Sequence, residues 1–260
     1  LGKLQPGDAL SETLRVIALP EEYRASAVPV YTVVGVDGSQ VYPDRSFAAG
    51  VCGMINIGGI ALQYGEVASS ADFFSSSTLV GKADMQSGLV FCPEVIDTLR
   101  ALRELEVGIE KMMQLKHVHG GPQVLLLDGS MIPYGLMLKN AAVQQLFATR
   151  FLSLLAQCYE QQIVIAWYIS APQSHMLARI VGEEEQADAQ LLDDFLAVNT
   201  TTPFFALNQS TLFGVSCKPE HAASFFYSKK NAEIMRVECP AWVLKSAELR
   251  MLVCTVVHDQ

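Results

Sequence analysis

VPVYTVVGVDGS, Val28 to Ser39, is an apolar, β-branched run that ends on an acid followed by Gly-Ser. QVLLLDGS, Gln123 to Ser130, has the same build. Apolar character on both faces marks a central strand rather than an edge. An acid at the carboxyl end of such a strand is held beside the crevice where open α/β sheets take their ligands. The glycine that follows lets the chain turn sharply and a substrate come close. A lone Asp-Gly is an ordinary turn dipeptide. Two of them, ending what the pattern makes adjacent central strands, bring Asp37 and Asp128 together. Two ionised carboxylates repel unless a cation lies between them, so a divalent metal is the natural third party. Oxygen-only ligands favour Mn²⁺ or Mg²⁺ over zinc.

Outward from these strands the pattern alternates. The segment Val41 to Tyr64 is apolar and glycine-rich and reads as a hairpin beside the first strand, with its tight turn at Gly58-Gly59. Ser69 to Thr78 is polar and serine-rich and reads as a surface loop. A helix starts at Pro93 and runs to about Leu115, and another spans about Asn140 to Gln161. IVIAWYIS, Ile163 to Ser170, is a further buried strand, followed by a short helix around His175 to Val181. Short strands are expected at Thr211 to Ser216, Ala223 to Tyr227 and Ile234 to Val237, then a helix over Val243 to Val257. The class is α/β, a mixed sheet flanked by helices.

With 260 residues, half of them apolar, the chain can bury one large core. No apolar run reaches the roughly 18 residues needed to cross a bilayer, and LGKLQPGDALSETLR lacks the build of a signal peptide. A cytoplasmic protein with no membrane partner is therefore expected. Its six cysteines lie scattered among apolar neighbours and read as reduced core residues. A net charge of -9 argues against a protein that coats nucleic acid through its overall field. It does not argue against a nuclease whose local positive charge is a metal ion.

Taken together, VVGVDGSQVYPDR (Val33 to Arg45), INIGG (Ile55 to Gly59), the acid-bearing helix before LLLDGS (Leu125 to Ser130) and WYIS (Trp167 to Ser170) resemble the NurA nucleases, in the same order. The resemblance implies an RNase H-like fold and a nuclease dependent on Mn²⁺ or Mg²⁺, with two ions, acting on single-stranded and duplex DNA ends. It also implies a homodimer that works with a HerA-type hexameric translocase in end resection and double-strand break repair. By position, Asp37 and Asp128 match the family's metal-binding acids, and the helix acid between them is Glu104, Glu106 or Glu110. The family pattern runs on to a Gly-Tyr-Pro motif and a histidine, whereas the sequence ends at HDQ. Residues 1–260 are thus expected to form one domain, incomplete at its C-terminal end, with 1–27 as an N-terminal extension.

Helical periodicity ranks the three glutamates. Leu99, Leu102, Ile109 and Met113 set a core-facing stripe, and Glu106 falls in its middle. Glu104 is expected on the opposite, solvated face, and Glu110 on the stripe's edge as the reserve. A carboxylate in mid-stripe needs a partner, and a metal shared with Asp37 and Asp128 would be one. The alternative is a helix that rotates or kinks at Gly108 and lets Glu106 reach solvent.

Ser39 and Arg45 are candidate phosphate contacts near Asp37. His117 and His119 read as a solvated turn, Lys229-Lys230 and Glu183 to Glu185 as surface charge, and His258 as a helix-surface residue. The tryptophans and Phe-Phe pairs read as core. No phosphate-binding P-loop is present. Two competing functions are an actin-like or sugar-kinase-like phosphotransferase and a non-catalytic dimeric regulator of a DNA translocase. The first would want glycine-rich phosphate loops where Ser39-Gln40 and Ser130-Met131 stand.

Overall fold

The Val28–Ser39 run forms strand β3 (Tyr31–Val41), whose side chains at 31 to 34 are all buried. Three neighbouring strands make the centre of the sheet with it. β6 (Gln123–Asp128) lies parallel to β3 on one side, and β4 (Cys52–Tyr64) lies antiparallel on the other. β7 (Val164–Ile169) continues parallel beyond β6, and β5 (Ser70–Gly81) closes the far edge against β4. The computed structural model describes residues 9–11, 14–18, 30–42, 52–65, 70–81, 92–116 and 121–259. Arg45, His117 and His119 lie outside these residues.

The sheet extends past β7 through β13 (Glu233–Pro240), β12 (Ala223–Lys230), β9 (Phe204–Leu207), β2 (Leu14–Ala18) and β1 (Ala9–Ser11), with β8 (Thr200–Thr201) beside β12. β10 (Thr211–Leu212) and β11 (Val215–Ser216) form a separate ribbon. Residues of the expected N-terminal extension therefore pair into the sheet, with Val16 opposite Phe205.

Helices cover both faces. On one face α1 (Pro93–Lys116) and α2 (Ala141–Gln161) bury Val34, Val36, Leu125, Leu127 and Trp167 against Leu102, Leu105, Ile109 and Phe151. On the other, α5 (Ala241–Lys245) and α6 (Ala247–Asp259) cover Tyr31, Val33, Val124 and Val164. Residues of opposite parity on one strand thus face different layers. α2 begins at Asn140, whose side chain accepts from the Val143 amide, and ends at Gln162 in a left-handed conformation with φ 55°. α3 (Met176–Val181) and α4 (Asp188–Asp193) sit against the β12–β13 end.

Several expectations are corrected. Gly58-Gly59 is no turn: β4 passes straight through it, with Asp37 opposite Gly58 and Val36 opposite Gly59. The serine-rich segment is edge strand β5, and its polarity reflects exposure along most of that strand. The C-terminal helix is two helices, because Ser246 is extended (φ -82°, ψ 125°). His258 is buried, with its Nε2 2.8 Å from the Ser228 hydroxyl, and so is not on the helix surface. Cys52 is exposed, unlike the buried Cys158, Cys217, Cys239 and Cys254. Phe73 is 76% exposed and stands outside the core. Among the described residues no helix is long and apolar enough to cross a membrane.

Candidate active site

Asp37 and Asp128 stand at the same level, each one residue past the last parallel pair, Val36 with Leu127. β6 ends at Asp128, whereas β3 does not end at Asp37 as its Asp-Gly-Ser suggested but continues to Val41 against β4. Both side chains are exposed, while Val36 and Leu127 are packed under the helices. Both acids line a cavity of about 370 Å³ whose other walls come from α1, α2, Trp167 of β7 and the turn after β6. Both also line a shallow groove bounded by Gly58, Gly59, Ile60, Phe73 and Tyr168. The Asp37 carboxylate accepts from the Gly38 amide at 2.8 Å. Gly129 turns the chain after Asp128 with φ +84°, a conformation that favours glycine, and its amide donates to the Tyr168 carbonyl at 2.9 Å. Ser39 follows two residues after Asp37 on the exposed side of β3.

The helix acid that lines the cavity is Glu104, together with Arg100 and Ala101. Its side chain is 16% exposed and pairs with Arg100, whose guanidinium also donates to the Gly38 carbonyl at 3.2 Å. The start of α1 is fastened to the same strand, for the Tyr42 hydroxyl donates to Asp97 at 2.6 Å and Gln40 donates to Asp97 at 3.2 Å. These bonds, with Gly108 packed against Leu125, set the helix close upon β3 and β6.

Glu106 sits elsewhere. It is ion-paired with Arg103 on its own helix and with Arg150 on α2, and it does not line the cavity. Glu110 is the more exposed partner of Arg103. The expected stripe is displaced too: Leu102 and Ile109 are buried, but Leu99 is half-buried and Met113 is 37% exposed, while Leu105 and Met112 are buried instead. The physical reason is that α1 packs on two sides, against the sheet and against α2, so its buried arc is too broad for one stripe to define. A signal for Glu104 was present in its spacing, four after Arg100 and four before Gly108, on the side where a glycine lets helix and strand approach.

Burial pushes the Glu104 carboxyl above its usual range; Arg100 opposes this and the charge of Asp37 adds to it. Among the described residues no three acidic, histidine or cysteine side chains converge tightly enough to grip an ion as they stand, and Glu104 is engaged by Arg100. The donor set of Asp37, Asp128 and Glu104 is nevertheless all oxygen and anionic, which suits a hard divalent cation.

Residues 31–258 match the NurA domain family. The chain belongs to the NurA nuclease family. With NurA membership comes a coarse function, that of a nuclease in DNA processing. Among solved structures, the NurA nuclease from Sulfolobus solfataricus is similar at 12% identity, over 95% of this chain and 76% of that one, with a TM-score of 0.55. This likeness shows the fold, a mixed β-sheet flanked by helices, consistent with the RNase H-like class that the family resemblance implies. A NurA crystal structure with manganese is similar at 10% identity, over 92% and 84% of the two chains, with a TM-score of 0.47. No curated protein sequence matches the chain.

Proposed function

We propose that the chain is a Mn²⁺- or Mg²⁺-dependent deoxyribonuclease that hydrolyses phosphodiester bonds, with Asp37, Asp128 and Glu104 holding the metal. The observation that carries this reading is the pair Asp37 and Asp128, side by side where the parallel pairing of β3 and β6 stops, and sharing a cavity with Glu104. It departs from the sequence expectation of Glu106, which is occupied by Arg103 and Arg150. A bound divalent cation supplies Lewis-acid stabilisation of charge on the scissile phosphate. The chain's own residues do the rest. Arg100 brings a second positive charge to the acid cluster. Trp167, Phe147 and Phe151 give the inner side of the cavity apolar walls. Gly58, with nothing within 4 Å of where a Cβ would lie, leaves an open approach beside Asp37.

Action on DNA ends, a homodimer, two ions and a HerA-type translocase partner are proposed on the ground of family membership. Phosphate contacts by Ser39 and Arg45 are proposed from their places in the sequence.

The test is cleavage of linear DNA with Mn²⁺, together with Mn²⁺-dependent melting. Asp37→Asn and Asp128→Asn should each abolish cleavage and remove the rise in Tm that Mn²⁺ gives the wild type. Retained cleavage in either folded variant would overturn the assignment.

A further inference from the structure

The turn that carries Asp128 is held from an unexpected place. Glu238 on β13 pairs with Trp167, and Trp167 pairs with Leu127, so Glu238 stands two strands away from β6 on the face that α1 and α2 cover. Its Oε2 accepts from both the Ser130 hydroxyl and the Met131 amide, each at 2.8 Å. The other oxygen accepts from Arg236 Nε at 2.7 Å. Glu238 and Arg236 are 5% and 3% exposed.

The chain of contacts continues. The Arg236 guanidinium lies 3.9 Å from the centre of the Phe225 ring and donates to the Tyr227 hydroxyl at 3.0 Å. Tyr227 donates to Asp188 at 2.6 Å, and Asp188, fully buried, accepts from the backbone amides of Met176 and Ala178 at 3.1 and 2.9 Å. One buried polar path thus runs from the turn after Asp128 to α3 and the start of α4.

A buried ion pair is poor value as a stabiliser, because apolar residues of the same volume commonly do as well or better. A charged acceptor that takes two hydrogen bonds from successive residues of one turn fixes that turn's orientation strongly. We infer that Glu238, braced by Arg236, is a positioning residue that sets the aim of Asp128 through Ser130 and Met131, and that α3–α4 is mechanically tied to this acid. The inference rests on the reading of Asp128 as a metal-holding residue. Partners that orient a ligand in this way change metal affinity or activity by about 10- to 100-fold when removed.

The experiment uses the full chain and compares Ser130→Ala, Glu238→Gln, Glu238→Ala and Asp128→Asn with the wild type. Two quantities are read: the Mn²⁺ concentration that gives half the maximal Tm rise, and kcat and KM on linear DNA. Ser130→Ala removes one arm and leaves the ion pair in place, so it carries the test even where the Glu238 variants fail to fold. It should raise the Mn²⁺ midpoint about tenfold and lower kcat with KM little changed. Glu238→Gln, which keeps an acceptor for the turn, should fall between wild type and Glu238→Ala. An unchanged Mn²⁺ midpoint and kcat in Ser130→Ala, beside an Asp128→Asn that loses both, would overturn the positioning role alone. An Asp128→Asn that keeps its Mn²⁺ response and cleavage would overturn the reading beneath it and the inference with it.

Discussion

Gly38 and Glu104 meet across β3 and α1 so closely that a Cβ added to Gly38 would lie 2.5 Å from Glu104 Oε1. The same Cβ would stand 2.9 Å from Ile57 Cδ1 and 3.0 Å from Arg100 Cγ. The Gly in Asp-Gly-Ser therefore admits a helix acid to the cavity as well as shaping the strand. Gly38→Ala should push aside Glu104 and Arg100, at a cost of about 1–3 kcal/mol for overpacking. The contacts are all side-chain atoms, so the fold should survive while cleavage falls at least tenfold, as expected of a misplaced catalytic group. Denaturant unfolding beside a cleavage assay checks this; full activity in the folded variant would show that Glu104 can be displaced without harm.

The two glycines facing this region on β4 should respond with opposite signs. Gly58 has open space where a Cβ would go, and a strand glycine is costly by roughly 0.5–1 kcal/mol, so Gly58→Ala should stabilise by up to that amount. At Gly59 a Cβ would run into the Phe74 ring and lie 2.9 Å from the Gly35 carbonyl oxygen, so Gly59→Ala should destabilise. Thermal melts of the two variants decide the matter, and a common sign would refute the packing argument.

Glu106 separates stability from catalysis. Its partners Arg103 and Arg150 are 29% and 40% exposed, so Glu106→Gln should cost no more than about 1 kcal/mol. Cleavage should survive in Glu106→Gln and Glu110→Gln and be lost in Glu104→Gln. Loss in Glu106→Gln alone would return the role to the residue that periodicity favours.

The two acids were legible because each closes a simple local pattern, an apolar run followed by Gly-Ser, and β6 does end at Asp128. β3 instead carries Asp-Gly-Ser within the strand, because β4 goes on pairing with it to Val41. The choice among the helix glutamates was not legible from one stripe, since α1 has two packed sides. Gly58-Gly59 reads as a turn because glycine pairs usually make one, whereas here they keep close packing and an open face inside a long strand. Edge strand β5 hides behind serines that tell of exposure and not of looping. Glu238 lies far along the chain from Asp128, but Arg236 and Glu238 share one face of a strand whose remaining residues from Ile234 to Pro240 are apolar. Charges two apart in such a strand point to a buried polar contact.

The pH dependence of stability follows from Glu104. Burial raises its carboxyl above the usual 4.5, with the charge of Asp37 adding to the effect. The folded chain therefore holds this proton more tightly than the unfolded chain does. Its contribution to stability is fully present below 4.5 and is lost as pH rises through the folded value. Glu104→Gln removes the penalty. Measured without metal and with a chelator, its Tm advantage over wild type should be absent at low pH and grow towards neutrality. A difference independent of pH would mean that the carboxyl feels no net penalty.

His221 supplies a dependence of the opposite sense. It is buried, edge-on to Tyr159 and Trp242 with ring centres 6.0 and 5.7 Å away, and among the described residues its Nε2 has no hydrogen-bond partner. Burial holds its pKa below the usual 6.5, with Glu220 opposing and Lys218 adding to the depression. The folded chain then binds fewer protons at this site than the unfolded chain does. Stability from this site is complete above 6.5 and is lost as pH falls through that value towards the lower folded one. His221→Phe keeps an aromatic ring between Tyr159 and Trp242 and removes an unpaired buried nitrogen, a change that should gain about 1 kcal/mol. It should also flatten the fall in Tm between about pH 7 and pH 5, the range in which histidine takes up its proton. Melting curves across that range test both parts. A variant whose Tm falls with pH in parallel with the wild type would show that another group titrates, and a lower Tm at pH 7 would show that the imidazole nitrogen is satisfied where it lies.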